Sequence, residues 1–499
     1  MTLRGWLCAL FVLLAPGLSL GQEPKILYVG VQQLPEFLSP ATACTNAEQQ
    51  AIELLFQALV RAEQEPGIGQ RYYPELAAEL PAVVPLGREY RLADAAKWSD
   101  GNRVLAVDVR HTVDLLRAAR RAPLIDEARV GKDAYHVTLA LEKTYFDPLS
   151  VMSFKVLPRG LARLDDEKFA RSPVGSGPYT FAGKSKDKKR EIVRFVASKH
   201  YPWPLGKPGI DEIRFYVPKD ASADLARGTL HLVLDAEVEG DEVLRLPARR
   251  VFFLAVNQRR PFLQNRALRR CLALAIDRAA IVKSVFGDSK GNRALNGPFL
   301  GDSWAANPEL APLFNAASAA ALAVKAKESL GGNTLSLKYP EGDGRIERAC
   351  QAIRDQVKEH TGIELKLLPL PAHQLRADMV DKHDYDLAYW HHDYVNEACV
   401  AWPLFDPAAM GPGGSNFLGV NDSDIRQQFA VMHGTREFRR VQAAARLIHD
   451  LVHERLPLIP LWQLDMAVAI SPRVKTFPEP ARLDPLRIFQ HVDRWSLSR

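Results

Sequence analysis

The chain has 499 residues, 47% of them hydrophobic and 25% charged, with a formal net charge of +6. This is an ordinary globular composition, long enough for two or three domains with substantial cores. The basic residues are spread along the chain without a concentrated run, which argues against a nucleic-acid binder.

The first element is MTLRGWLCALFVLLAPGLSLG (1–21). One early cation (Arg4), an apolar core from Trp6 to Leu20 and the small residues Ser19 and Gly21 predict a secretory signal peptide cut after Gly21. The apolar run is short for a spanning helix, which needs about 20 residues. Cys8 stands too early to be a lipid-modified cysteine. No later segment is apolar enough to cross a bilayer, so the protein is expected to be exported, to the periplasm or the extracellular space. Export permits disulfides among Cys44, Cys271, Cys350 and Cys399, and the pairing stays open. Cys271 and Cys350 sit within helical patterns and read as buried free thiols.

KILYVGV (25–31) predicts a strand, and residues 46–62 a helix through Ile52, Leu55, Phe56 and Leu59. WSDGNRVLAVDVRHTVDLLR (98–117) is a turn at Asp100-Gly101 followed by a helix opening near Asp108. VGSGPYTF (174–181) is a turn leading into a strand, and RRVFFLAVNQRRPF (249–262) a buried strand ending in a polar loop. Leu268, Leu272, Ala275 and Ile276 trace an amphipathic helix, after which Asp277 caps a second short one running to Val285. The second half then alternates: strand 334–340, helix 344–360, strand 363–370, a short helix near 373–380 and strand 385–390. Strand–helix–strand–helix–strand implies a parallel sheet with right-handed crossovers. A long helix near 435–454 and a buried strand, LIPLW (458–462), follow.

The third strand of that unit ends in Trp390-His391-His392-Asp393-Tyr394. Ligands of open α/β sheets bind outside the carboxyl ends of strands, so this stretch is a candidate site. A metal site is not expected there, because adjacent histidines at a strand end point to opposite faces and no other His/Cys cluster has ligand spacing. No GxSxG, HExxH or phosphate-binding loop suggests an enzyme. The remaining reading makes Asp393 a counter-charge for a cationic ligand, with Trp390 and Tyr394 as aromatic walls.

Several blocks in one order carry a resemblance: FLSPATACTNAEQQAIELLFQALV, KWSDGNRVLAVDVRHTVDLL, SPVGSGPYTF, AVNQRRPFLQNRALRRCLALAIDRAAIV, GGSNFLGVNDSDI and LPLIPLWQLDMAVAISPRVKTF. From about residue 25 to the C-terminus the chain resembles the extracellular solute-binding proteins of family 5, the peptide- and nickel-binding components of ABC importers. The resemblance implies an α/β, two-lobed periplasmic-binding-protein-like clamp with an additional domain beside the first lobe. Carried over, lobe I comprises 22–50, 172–254 and 456–499, the additional domain 51–171, and lobe II 255–455.

It further implies that Asp393 meets a ligand ammonium group and that Trp390 and Tyr394 line the pocket. Cys44, Thr45 and Asn46 become first-lobe contacts, and His391 and His392 narrow the cleft or tune selectivity. The sequence departs from the family's usual D-Y-x-D-P at Val395, Asn396 and Glu397, which alters a pocket wall. The implied function is capture of a small solute, a peptide or another amine-bearing molecule, and its delivery to an ABC permease by a monomeric protein without cofactor or metal. The alternatives are a receptor that presents its solute to a membrane sensor, or a binder of metal chelates.

Overall fold

Two long strands organise the molecule. In the computed structural model, which describes residues 23–65, 69–122, 124–187, 190–234, 243–394 and 398–498 (backbone only for 398–400), Val243–Val256 and Leu458–Ile470 run antiparallel. The expected signal peptide and the departure at Val395–Glu397 lie outside the described residues.

At one end of this ribbon, Leu458–Ile470 pairs with Leu232–Leu234, which continues through Ile26–Gly30, Glu212–Tyr216, Arg190–Ala197 and Tyr179–Asp187. At the other end, Val243–Val256 pairs with Leu387–Asp393, followed by Leu335–Pro340 and Leu365–Leu370. With Arg293–Ala294 pairing off the path, the described residues form one eleven-stranded sheet in two halves. The ribbon's register shifts between Pro247 and Val251, opposite Asp465 and Gln463. A bulge bends a strand and increases its twist, and here it marks where the ribbon leaves one half for the other.

The second half carries the predicted parallel unit. Leu335–Pro340 pairs in parallel with both Leu365–Leu370 and Leu387–Asp393. Helix Gly344–Thr361 between them is capped by Asp343, whose carboxylate accepts from the Arg345 N–H at 2.8 Å. It buries Cys350, Ile353 and Val357 at helical spacing and ends at Gly362 in the left-handed region, which glycine enters without a Cβ penalty. Helix Asn46–Leu55 of the first half is shorter than predicted. The chain leaves the helix at Phe56 and becomes strand Val60–Glu65, which pairs with Gly69–Pro74.

A separate four-stranded sheet, Ala82–Val84, Gly87–Arg91, His136–Leu141 and Ile125–Val130, packs on helix Ala106–Ala118 through Tyr90, Val109, Val113 and Leu139. It falls within the stretch expected to be the additional domain. This unit also touches the second half: Tyr145 meets His433 and Phe146 meets Trp304, with ring centroids 5.7 and 6.2 Å apart.

Cys44, Cys271 and Cys350 are free thiols. Cys271 and Cys350 are fully buried, as their helical setting predicts. No helix among the described residues is long and apolar enough to cross a membrane.

Candidate functional site

A cleft with ≈ 1440 Å³ of empty space, part of it open to solvent, separates the two halves of the sheet. The ribbon forms its floor with Arg245, Arg250, Phe252 and Asp465, and Cys44, Thr45 and Asn46 stand on the first-half side. On the second-half side are Tyr389, Trp390, His391 and the turn Pro340–Asp343. That turn and the 390s follow from the carboxyl ends of parallel strands, where the topology places a ligand crevice.

Alternation along Leu387–Asp393 sorts the motif. His391 faces the cleft, its ring stacked on Trp390 with centroids 5.5 Å apart and 19° between planes. Trp390 is half-buried and meets Phe417 edge-on. His392 points the other way, into a small pocket with Leu404 and Leu458, against the edge of Tyr394. The two histidines therefore do not converge. Burial, then the nearby Arg250 cation, pushes His391 down to about 3, and burial pushes His392 down to about 4. Both rings are neutral at physiological pH. The His392 Nε2 has no hydrogen-bond partner among the described residues.

Two expectations need revising. Tyr394 is not a cleft wall: it is 2% exposed, and its hydroxyl donates to the Pro298 carbonyl at 2.8 Å. It follows the last residue of the strand and packs into the core beside Phe299. Asp393 is not an open counter-charge. It lies directly opposite Arg250 in the antiparallel register, and the guanidinium grips it bidentately, Nε to Oδ1 at 2.5 Å and Nη2 to Oδ2 at 2.9 Å. Burial alone would raise the Asp393 carboxyl, but Arg250 outweighs it and holds the group well below the usual carboxylate range. Arg250 also donates to Asn46 Oδ1 at 2.8 Å and Gln49 Oε1 at 3.1 Å. One buried cation thus ties a first-half helix to the last strand of the second-half unit.

Cys44, Thr45 and Asn46 do reach the cleft, and local helix chemistry places them there. Thr45 caps helix Asn46–Leu55 in a capping box, its hydroxyl accepting from the Glu48 N–H while the Glu48 carboxylate accepts from the Thr45 N–H, both at 3.2 Å. Glu48, 1% exposed, also accepts from the N–H groups of Glu36, Phe37 and Cys44. His373 closes on it from the second half, with Nε2 2.7 Å from Oε1.

Sequence reasoning missed the cleft's charges on the ribbon. Arg245 is exposed and has no ion-pair partner among the described residues. Asp465 stands two residues from Ala467, the register partner of Arg245. It accepts from the Gly291 N–H at 3.2 Å and from the Ser289 hydroxyl, and no cation pairs with it among the described residues. Alternation in the two strands, read together, would have put both residues on one face, but the 465 end of LIPLWQLDMAVAI lay beyond the segment read as strand.

Residues 71–411 match the family described as bacterial extracellular solute-binding proteins, family 5. Among curated relatives, the chain is 23% identical over 491 residues to the probable D,D-dipeptide-binding periplasmic protein DdpA of Escherichia coli K12, covering 91% of this chain and 92% of that one. Among solved structures it is similar to the oligopeptide-binding protein AppA of Bacillus subtilis, bound to a nonapeptide, with a TM-score of 0.80 at 18% identity over 96% of this chain and 100% of that one. It is also similar to NikZ of Campylobacter jejuni, bound to Ni(L-His), with a TM-score of 0.75 at 21% identity over 94% of this chain and 99% of that one. The two-lobed α/β architecture is the one these structures share, and the chain belongs to the extracellular solute-binding proteins of family 5.

Proposed function

We propose that this protein, exported through its N-terminal signal peptide and working as a monomer, captures a small charged solute between the two halves of its sheet. It then delivers the solute to an ABC permease. The observation that carries this reading is a cleft walled by both halves and floored by a two-stranded ribbon that bends at 247–251 and 463–465. A ribbon of that kind lets two rigid halves rotate, and a solute touching both favours the closed arrangement.

The solute's charges are read on the ribbon. Arg245 offers a cation to a carboxylate, while Asp465 and the exposed Glu341 offer carboxylates to an ammonium group. Trp390 and Phe252 supply aromatic faces. Asp393 acts at one remove, by fixing Arg250. A zwitterionic solute of dipeptide size fits this set, and the peptide-binding names of several relatives support it.

A thermal-shift screen of dipeptides, amino acids and metal chelates, followed by calorimetry on the best compound, tests the reading. Arg245→Ala and Asp465→Asn should each weaken binding by roughly ten- to a hundredfold, about 1.4–2.8 kcal/mol, towards the low end of the about 2–5 kcal/mol for truncating a buried pair. Parent-like affinity in both variants would refute the ribbon as the recognition element.

A further inference from the structure

At the edge of the cleft, three side chains from both halves converge without any sequence spacing to announce them. Cys44, Glu48 and His373 place one sulfur, oxygen and nitrogen atom each within 4.8 Å of one another. We infer that they form a binding site for a divalent cation of the zinc class, which would hold the two halves together.

One separation suits a shared ion. Zinc bonds of about 2.3 Å to sulfur and 2.0–2.1 Å to nitrogen, at a tetrahedral angle, place the two atoms about 3.6 Å apart. Cys44 Sγ and His373 Nε2 are 3.6 Å apart, but Sγ is also 3.3 Å from Nδ1 and so stands beside the imidazole; the ring must turn about its Cβ–Cγ bond to aim Nε2 at an ion shared with the sulfur. His373 Nε2 is 2.7 Å from Glu48 Oε1, so the ion takes the place of the proton shared by that pair and the two atoms move slightly apart. The donor types select as well. Thiolate with imidazole favours zinc and its neighbours over magnesium or calcium.

The surroundings prepare the ligands. Backbone N–H groups of Glu36, Phe37, Cys44 and Thr45 hold the Glu48 carboxylate in place, and the Phe37 ring lies 4.4 Å from that of His373. Such outer contacts orient ligands and raise affinity. Arg376, whose charge reaches Cys44, is drawn towards Asp381 at 3.3 Å. A dication with one thiolate and one carboxylate makes a neutral site, acceptable at a half-buried position.

The protons balance. Without metal, the Cys44 thiol, raised by burial and then by the Glu48 carboxylate, keeps its proton and faces His373 Nδ1 at 3.3 Å. His373 Nε2 and Glu48 Oε1 share a hydrogen bond. On binding, Nε2 and Sγ take the metal and the thiol proton leaves to solvent. Three protein ligands leave a fourth position for water or a donor atom of the solute, since Cys44 lines the cleft.

Cobalt(II) titration of the untagged mature protein tests this directly, because a cobalt–thiolate bond gives a near-ultraviolet charge-transfer band. One equivalent should produce the band, release the thiol proton to solvent and be displaced by zinc. Cys44→Ser should abolish the band, and His373→Ala should weaken zinc binding by more than about a hundredfold. Neither variant removes the helix cap, and circular dichroism checks their fold. No band in the parent, or a band that survives Cys44→Ser, overturns the assignment. Because Arg245 and Asp465 take no part, solute binding measured by calorimetry succeeds or fails separately.

Discussion

Replacing Asp393 by asparagine separates two accounts of the same residue. If the carboxylate were an open ligand contact, the variant would lose solute affinity and keep its stability. In the structure the carboxylate is held by Arg250, which is 5% exposed. Removing it leaves a guanidinium buried without a counter-charge, and breaking one side of a buried pair costs about 3–5 kcal/mol. Arg250 keeps its bonds to Asn46 and Gln49, so the lower end, about 3 kcal/mol, is expected. At an unfolding entropy of about 2.1 cal/mol/K per residue, a chain of this length melting as one unit would lose about 3 °C. Scanning calorimetry of Asp393→Asn reads that shift. The double variant Arg250→Met, Asp393→Leu should recover most of it, because no buried charge remains. An unchanged melting temperature combined with a large loss of solute affinity would refute the structural pair and restore the ligand contact.

Acid should destabilise the protein through its buried histidines. Burial lowers His433 and His449 from the ordinary 6.5 to about 4, so on unfolding each takes up a proton that the folded ring refuses. Their contribution is complete above pH 6.5 and falls towards pH 4, by about 2 kcal/mol per histidine at pH 5. Urea unfolding at pH 7.5 and pH 5 should show the drop, and His449→Gln should shrink it; a midpoint independent of pH would contradict it. Cys271 and Cys350, fully buried and with thiols raised by burial, should react with an aromatic disulfide reagent only after unfolding. Rapid labelling of either one in the native protein, read by peptide mapping, would be evidence against the packing. Trp390→Ala should weaken solute binding by roughly tenfold through lost aromatic contact, whatever the solute's charge, as calorimetry would record.

Much of the second half is legible locally. TLSLKYP, the helix from 344 and YDLAYW each announce themselves by period, and the parallel order follows from their alternation. The opposite directions of His391 and His392 also follow from strand geometry alone. The pairing of Asp393 with Arg250 does not, since it depends on which strand lies beside Leu387–Asp393, a choice made by the whole sheet across 143 residues. Tyr394 reads as a binding aromatic because it follows a motif, yet the Pro298 carbonyl that takes its hydroxyl is 96 residues away. Cys44, Glu48 and His373 are invisible for the same reason. Spacing rules find ligands on one helix or turn, and His373 joins Cys44 and Glu48 only where the two halves of the sheet face each other.

Closure around a solute is the central claim, and small-angle scattering tests it most directly. The untagged mature protein is measured alone and with a saturating amount of the compound that gives the largest thermal shift. A smaller radius of gyration with solute, reduced in Arg245→Ala in proportion to its lower occupancy at the same solute concentration, is the expected result. A radius that stays the same while calorimetry shows full occupancy would contradict the clamp.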